Sequence, residues 1–115
     1  MHFEQNEIWL ADLNPRFGTE SGKIRPVLIV QTNFLNLVRH SSVIICPITT
    51  NLVPEAIYLR VHLKAGIASL KEDCDIMIDQ IRAIDTKRLL KKIGKLPAKY
   101  IQEVRNNLLI VLNLE

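Results

Sequence analysis

Side chains that could act on a phosphate gather at the ends of apolar runs in this chain. Arg25 stands directly before Pro26 at the start of one run, and Thr49 and Thr50 close another. Asp79, Gln80 and Arg82 sit among isoleucines in a third, and Glu20 lies on the polar loop upstream of Arg25. A guanidinium makes bidentate, charge-assisted hydrogen bonds about twice as strong as neutral ones. A threonine hydroxyl adds a neutral donor. A carboxylate beside the arginine takes a proton or orients the guanidinium. Such a set suits cleavage of an RNA phosphodiester, where the substrate's own 2′-hydroxyl can be the nucleophile and neither metal nor protein nucleophile is required. Periodicity alone leaves a structural role open for each residue. Arg25 could be an edge charge that blocks strand pairing, the threonines are good strand residues anyway, and Asp79 could be the outward member of an alternating strand.

Other chemistries find less support. The three histidines, His2, His40 and His62, are scattered at no ligand spacing, so they read as surface histidines and no metal site or cofactor is expected. The run "GTESGK" lacks the spacing of a phosphate-binding Walker loop, and there is no GxSxG. Cys46 and Cys74 lie inside apolar runs without a CxxC pattern, which reads as buried free thiols in a reducing compartment.

The elements that must position these residues are short. Glu7 to Leu13 predicts a strand, and Asn14 to Lys23, with its Asn-Pro and glycines, a long loop of the kind that often carries function. Further strands are predicted over 24–32, 41–50, 56–64 and 74–84. In the fourth, Ile57, Leu59, Val61 and Leu63 alternate with Tyr58, Arg60, His62 and Lys64. Residues 86–96 read as a helical turn and a short strand. From Ala98 onward, Ile101, Val104, Leu108, Val111 and Leu112 follow helical spacing, with Pro97 suited to the first turn. The end of that helix, "LLIVLNL", is apolar nearly all round, which predicts a homodimer in which a second copy covers it or the strands beside it.

The 115 residues make a single domain over 1–115, and the 48% apolar content excludes a disordered chain. The net charge of +3 is unevenly spread: seven basic residues against one acid lie between Lys87 and Arg105. That stretch is either a solvated face or a surface for phosphates or an acidic partner. No targeting segment and no apolar run of membrane-spanning length is visible, so a cytoplasmic protein with no membrane contact is expected. Several short, mostly antiparallel strands and one terminal helix predict an α+β, mainly antiparallel β domain of small-barrel type.

Three motifs in order then resemble the MazF/PemK (Kid) toxins. They are "NEIWLADLNPRFGTESGKIRPVLIVQ", "VIICPITTN" and "IMIDQIRAIDTKRL", and the resemblance runs from Glu7 to Leu112. It implies an SH3-like barrel of the CcdB/MazF kind with a C-terminal helix, assembled as a homodimer. It implies a metal-independent, sequence-specific endoribonuclease (an mRNA interferase) that cuts single-stranded RNA to 2′,3′-cyclic phosphate and 5′-hydroxyl ends. It also implies a cognate acidic antitoxin of the MazE/PemI kind. By matching position, Arg25, Thr49 and Asp79 would be catalytic, with Asp79 the base. Glu20 would be the loop acid and Gln80 a base-contacting residue. Phe17, Thr19, Thr50, Asn51 and Arg82 complete the expected RNA-binding set. The chain departs from the family pattern at Asn6, Ser21 and Met77; the last stands where the Kid-type enzyme carries an arginine, which leaves the proton donor open between Arg25 and another cation such as Arg82. Two other readings stand beside this one: a CcdB-like toxin that blocks a protein such as DNA gyrase, and an inactive paralogue that only binds antitoxin or RNA.

Overall fold

The computed structural model describes residues 2–114. Seven strands and two α-helices are present among them: β1 Glu7–Asp12, β2 Ile24–Ile29, α1 Asn33–Leu37, β3 Ser42–Thr49, β4 Arg60–Leu63, β5 Cys74–Met77, β6 Arg82–Asp85, β7 Leu89–Lys95 and α2 Ala98–Val111. All pairings are antiparallel. The sheet runs β4-β5-β3-β2-β1-β7, with β6 paired to β3 off that path. The long strand β3 is shared: Ser42 to Ile45 pair with β6, whereas Ile48 and Thr49 pair with β5.

Side chains of a strand alternate between its faces, and the central strands are apolar on both. Ile8, Leu28, Cys46 and Ile48 face one core with Val61, Leu63 and Ile76; Trp9, Val27, Ile29, Val43 and Ile45 face a second with Phe3, Leu13 and Leu89. Two-sided burial explains why β1 to β3 read as nearly continuous apolar runs rather than alternating ones. Helix α2 closes the first core through Val104, with Tyr100, Ile101, Leu108 and Val111 packed around it. Burial pushes both free thiols up, Cys46 to about 12 with the charge of Asp79 adding to the effect, and Cys74 to about 11. None of the described helices is long and apolar enough to cross a membrane.

The structure corrects two expectations, bears out a third and adds one helix. The fifth strand does not continue to Ile84: Ile78–Gln80 form a 3-10 turn between β5 and β6. The fourth strand keeps only Arg60–Leu63, because its first half lies on the surface; Ile57 is 72% exposed, whereas Val61 is fully buried. The helical turn and strand expected over 86–96 are both present, as a 3-10 turn at Thr86–Arg88 and as β7, which pairs with β1 across two register shifts. Helix α1, capped by the Thr32 hydroxyl accepting from the Phe34 amide, occupies a stretch with no helical reading in the sequence analysis.

Candidate active site

The site opens where β2 and β3 part. Their ladder ends at Val27 opposite Pro47. Continued two residues further, the same register sets Arg25 opposite Thr49. Beyond Val27, β2 pairs only with β1, through Leu10–Pro26 and Ala11–Arg25. A proline has no amide to donate, so it fits a point where one side of the strand is unpaired. The splayed strands bound a cavity of about 510 Å³. Arg25 and Thr49 line it with Thr50 and Asn51, and Thr19 and Glu20 close it from the 14–23 loop.

Arg25 is half-buried, and its Nε donates to the Gly22 carbonyl at 2.8 Å. It forms no ion pair among the described residues. Burial lowers its pKa from the ordinary arginine value, and the charge of Arg16 adds to this. A desolvated cation without a counter-charge is costly unless an anion meets it, so this guanidinium is prepared for one. The Thr49 Oγ1 accepts from the Asn51 amide at 3.1 Å, which leaves its proton free to donate.

The remaining expected residues stand outside this wall. Phe17, at the tip of the loop, is 80% exposed. Gln80 and Arg82 reach back to the loop instead: Gln80 Nε2 donates to the Thr19 carbonyl at 3.3 Å and Arg82 Nη1 to the Ser21 carbonyl at 3.4 Å. Asp79 is exposed on the 3-10 turn and does not line the cavity, so the carboxylate on the wall is Glu20. Met77 lies on the wall below Ser21, whose hydroxyl is 3.7 Å from its sulfur.

Three cations of the wall, Arg16, Lys23 and Arg60, were not among the expected site residues. Arg60 lines the cavity and is held by Asp75, its Nη1 lying 3.0 Å from Oδ2. Asp75 is fully buried, although its neighbours Cys74, Ile76 and Met77 are all apolar. A lone carboxylate in an apolar strand requires buried partners, and an adjacent strand carrying Arg60 and His62 was the available signal.

The family described as PemK-like, MazF-like toxin of type II toxin-antitoxin system matches residues 4–112. An endoribonuclease MazF from Staphylococcus saprophyticus is 36% identical over 111 residues, covering 96% of this chain and 91% of the relative. The fold matches the crystal structure of MazF from Deinococcus radiodurans at a TM-score of 0.81 and 23% identity, over 98% of each chain. It also matches a MazE–MazF structure from that organism at 0.77 and 22% identity, over 100% of this chain and 99% of the other. The motifs around Arg25, Thr49 and Asp79, the antiparallel sheet with its terminal helix, and the match along nearly the whole length agree, and the chain belongs to the PemK-like, MazF-like toxins of type II toxin–antitoxin systems.

Proposed function

We propose that this chain cuts single-stranded RNA, chiefly mRNA, by attack of the substrate's own 2′-hydroxyl on the adjacent phosphorus, without a metal ion. Family membership and the 36% identical relative make it a MazF-type endoribonuclease toxin; the chemistry and the residue roles are our reading. One observation carries it: Arg25, a half-buried cation with no acidic partner among the described residues, shares a cavity wall with the Thr49 hydroxyl. In the reaction the 2′ oxygen bonds to phosphorus and its proton passes to a carboxylate. The bond to the 5′ oxygen breaks, and that oxygen takes up a proton. A 2′,3′-cyclic phosphate and a 5′-hydroxyl result. Charge gathers on the non-bridging oxygens, where Arg25 and Thr49 supply fixed donors.

The family motif assigns the base to Asp79, whereas Glu20 is the carboxylate that lines the cavity with Arg25. Asp79→Asn and Glu20→Gln separate them: loss of the acidic limb of the kcat profile identifies the base. Thr19, Thr50 and Asn51 on the wall, with Phe17, Gln80 and Arg82 around the loop, form the surface for flanking nucleotides.

The protein acts in the cytoplasm as a homodimer restrained by an acidic antitoxin. The exposed Leu109 and Ile110 of helix α2, with Leu112 at its C-cap, support a self-association face. The MazE–MazF structure of the Deinococcus relative supports the antitoxin. The test is purified protein with a long RNA in EDTA, followed by mapping of the cut ends. Cyclic phosphate and 5′-hydroxyl ends are expected; activity that EDTA abolishes and magnesium restores overturns the metal-free mechanism.

A further inference from the structure

Asp75 lies on the opposite face of β5 from the first core. Its neighbour Ile76 forms a buried cross-strand row with Ile48 and Val61, and the next row is Thr49, Asp75 and His62. That face of the outer strands would meet water, yet Asp75 is fully buried. The segment between β3 and β4 covers it, and the carboxylate is what the segment is tied to. Oδ2 accepts from the Val53 amide and from Arg60 Nη1, each at 3.0 Å. Oδ1 lies 2.6 Å from His62 Nδ1.

The partners of Asp75 hold the segment a second time. Arg60 Nη1 also donates to the Asn51 carbonyl at 3.1 Å, and His62 Nε2 lies 3.0 Å from the Ala56 carbonyl. A carboxylate and a carbonyl both accept, so both ring nitrogens must donate, and the ring in this arrangement is an imidazolium. Asn107 of α2 completes the fastening, with Nδ2 donating to the carbonyls of Ile57 and Arg60 at 3.2 and 3.4 Å.

Resting on the endoribonuclease reading, we propose that Asp75 is a positioning residue for RNA recognition. With Arg60 and the His62 imidazolium it clamps residues 50–59 in the shape that presents Asn51 and Arg60 to the cavity. Three charges in one cross-strand cluster, each of which bonds the same segment, are more than a lone buried acid needs for satisfaction. The clamp ends on the cavity wall because Arg60 belongs to both.

The clamp depends on pH through His62. Facing that ring are Asp75 from β5, Arg60 on its own strand and Glu103 from α2, with Lys64 and Asp73 at the rim of the small adjoining cavity. The hydrogen bond to Asp75 raises the histidine above its ordinary value of 6.5 against the opposing effect of burial, with the Ala56 carbonyl also raising it. A raised histidine contributes fully below its unfolded pKa and is lost as pH rises through its folded value. RNA affinity should therefore weaken on the alkaline side.

The test measures kcat and KM on a long single-stranded RNA transcript from about pH 5.5 to about 8.5, the range in which such a histidine titrates. Ring nitrogen shifts of His62 and the amide signals of Asn51 and Val53 are followed by NMR in the same range. In the wild type, KM rises about threefold to tenfold as His62 loses its proton, and the two amides move with it. His62→Gln removes that rise in KM. Asp75→Asn raises KM about tenfold with kcat within about twofold, and alters the pattern of cut sites. A His62 ring that is neutral at pH 6, or a His62→Gln protein that keeps the wild-type KM and its pH dependence, overturns the proposal; His62 is exposed enough for that variant to fold even if Asp75→Asn does not. Should the wild type cut no RNA, the endoribonuclease reading fails separately. Amides of Asn51 and Val53 that stay fixed while His62 titrates then overturn the clamp.

Discussion

The loop of residues 14–23 and the segment of residues 50–59 line the same cavity, but they are fastened by different means. The loop is tied at its base, where the Leu13 amide donates to the Lys23 carbonyl and the Lys23 amide to Asn14 Oδ1, each at 2.8 Å. Arg88 adds bonds to the carbonyls of Asp12 and Asn14. Further out, residues 14–20 are all exposed, and this side of the loop is linked to β5–β6 by long bonds, from Gln80 and Arg82 to its carbonyls and from the Ser21 hydroxyl to the Met77 sulfur. The segment is instead pinned by a buried carboxylate, two cations and an amide from α2. Bonds to charged groups out of water resist opening far more than neutral bonds at the surface. The loop is thus the part that can move onto a substrate, and the segment is the fixed wall it meets.

Arg25 belongs to neither, since it stands on β2 between them, and its loss has the largest effect expected. Arg25→Ala should lower kcat/KM about 100- to 1,000-fold, as removal of a preorganised donor does, while circular dichroism and sedimentation remain those of the wild type. A folded Arg25→Ala protein that cuts RNA normally would show that the two loops do not frame the chemistry.

The contrast in fastening is sharpened by stability. Asp75→Asn should cost about 2 kcal/mol in urea unfolding, below the usual loss for a severed buried pair because His62 is partly solvated. Asp75 itself has its pKa lowered: burial opposes ionisation, but the bonds from Val53, His62 and Arg60 outweigh it. A lowered carboxyl contributes stability that is present above the ordinary value of 3.8 and lost as pH falls through the folded value. The wild type should therefore lose its advantage over Asp75→Asn in acid. An equal gap at every pH would mean that packing, not charge, holds the segment.

At the base of the loop, a Cβ on Gly22 would stand 2.6 Å from the Arg16 Cβ. Gly22→Ala should displace the carbonyl that holds Arg25 and reduce kcat/KM about tenfold, with an overpacking cost of about 1 kcal/mol. The smallest change is expected at the loop tip. Phe17→Ala should leave stability within about 0.5 kcal/mol of the wild type and raise KM for long RNA about threefold or less. A large loss of stability there would break the comparison, because it would mean the tip is packed.

Much of this was legible before folding. The apolar runs located β1, β2 and β3, the helical spacing located α2, and the Arg-Pro and Ile-Thr-Thr motifs located the strand ends that bound the cavity. The break in the fifth strand at Asp79 was not legible because "CDIMIDQIRAI" carries no glycine or proline to mark it; the 3-10 turn arises where β5 leaves β3 and β6 returns to it. His62 read as an ordinary polar-face histidine because its partner, Asp75, lies 13 residues on.

The chain by itself determined which stretches are strands with two apolar faces, where they stop, and that an arginine stands at one of the stops. Those properties are local, since they follow from side-chain period and from proline's missing amide. Only the tertiary structure decided that Arg25 and Thr49 line one cavity, that Glu20 rather than Asp79 shares it, and that Asp75 gathers Val53, Arg60 and His62. Strand register is set by two apolar faces fitting their cores at once, so which charges meet across strands follows from packing that no single stretch encodes.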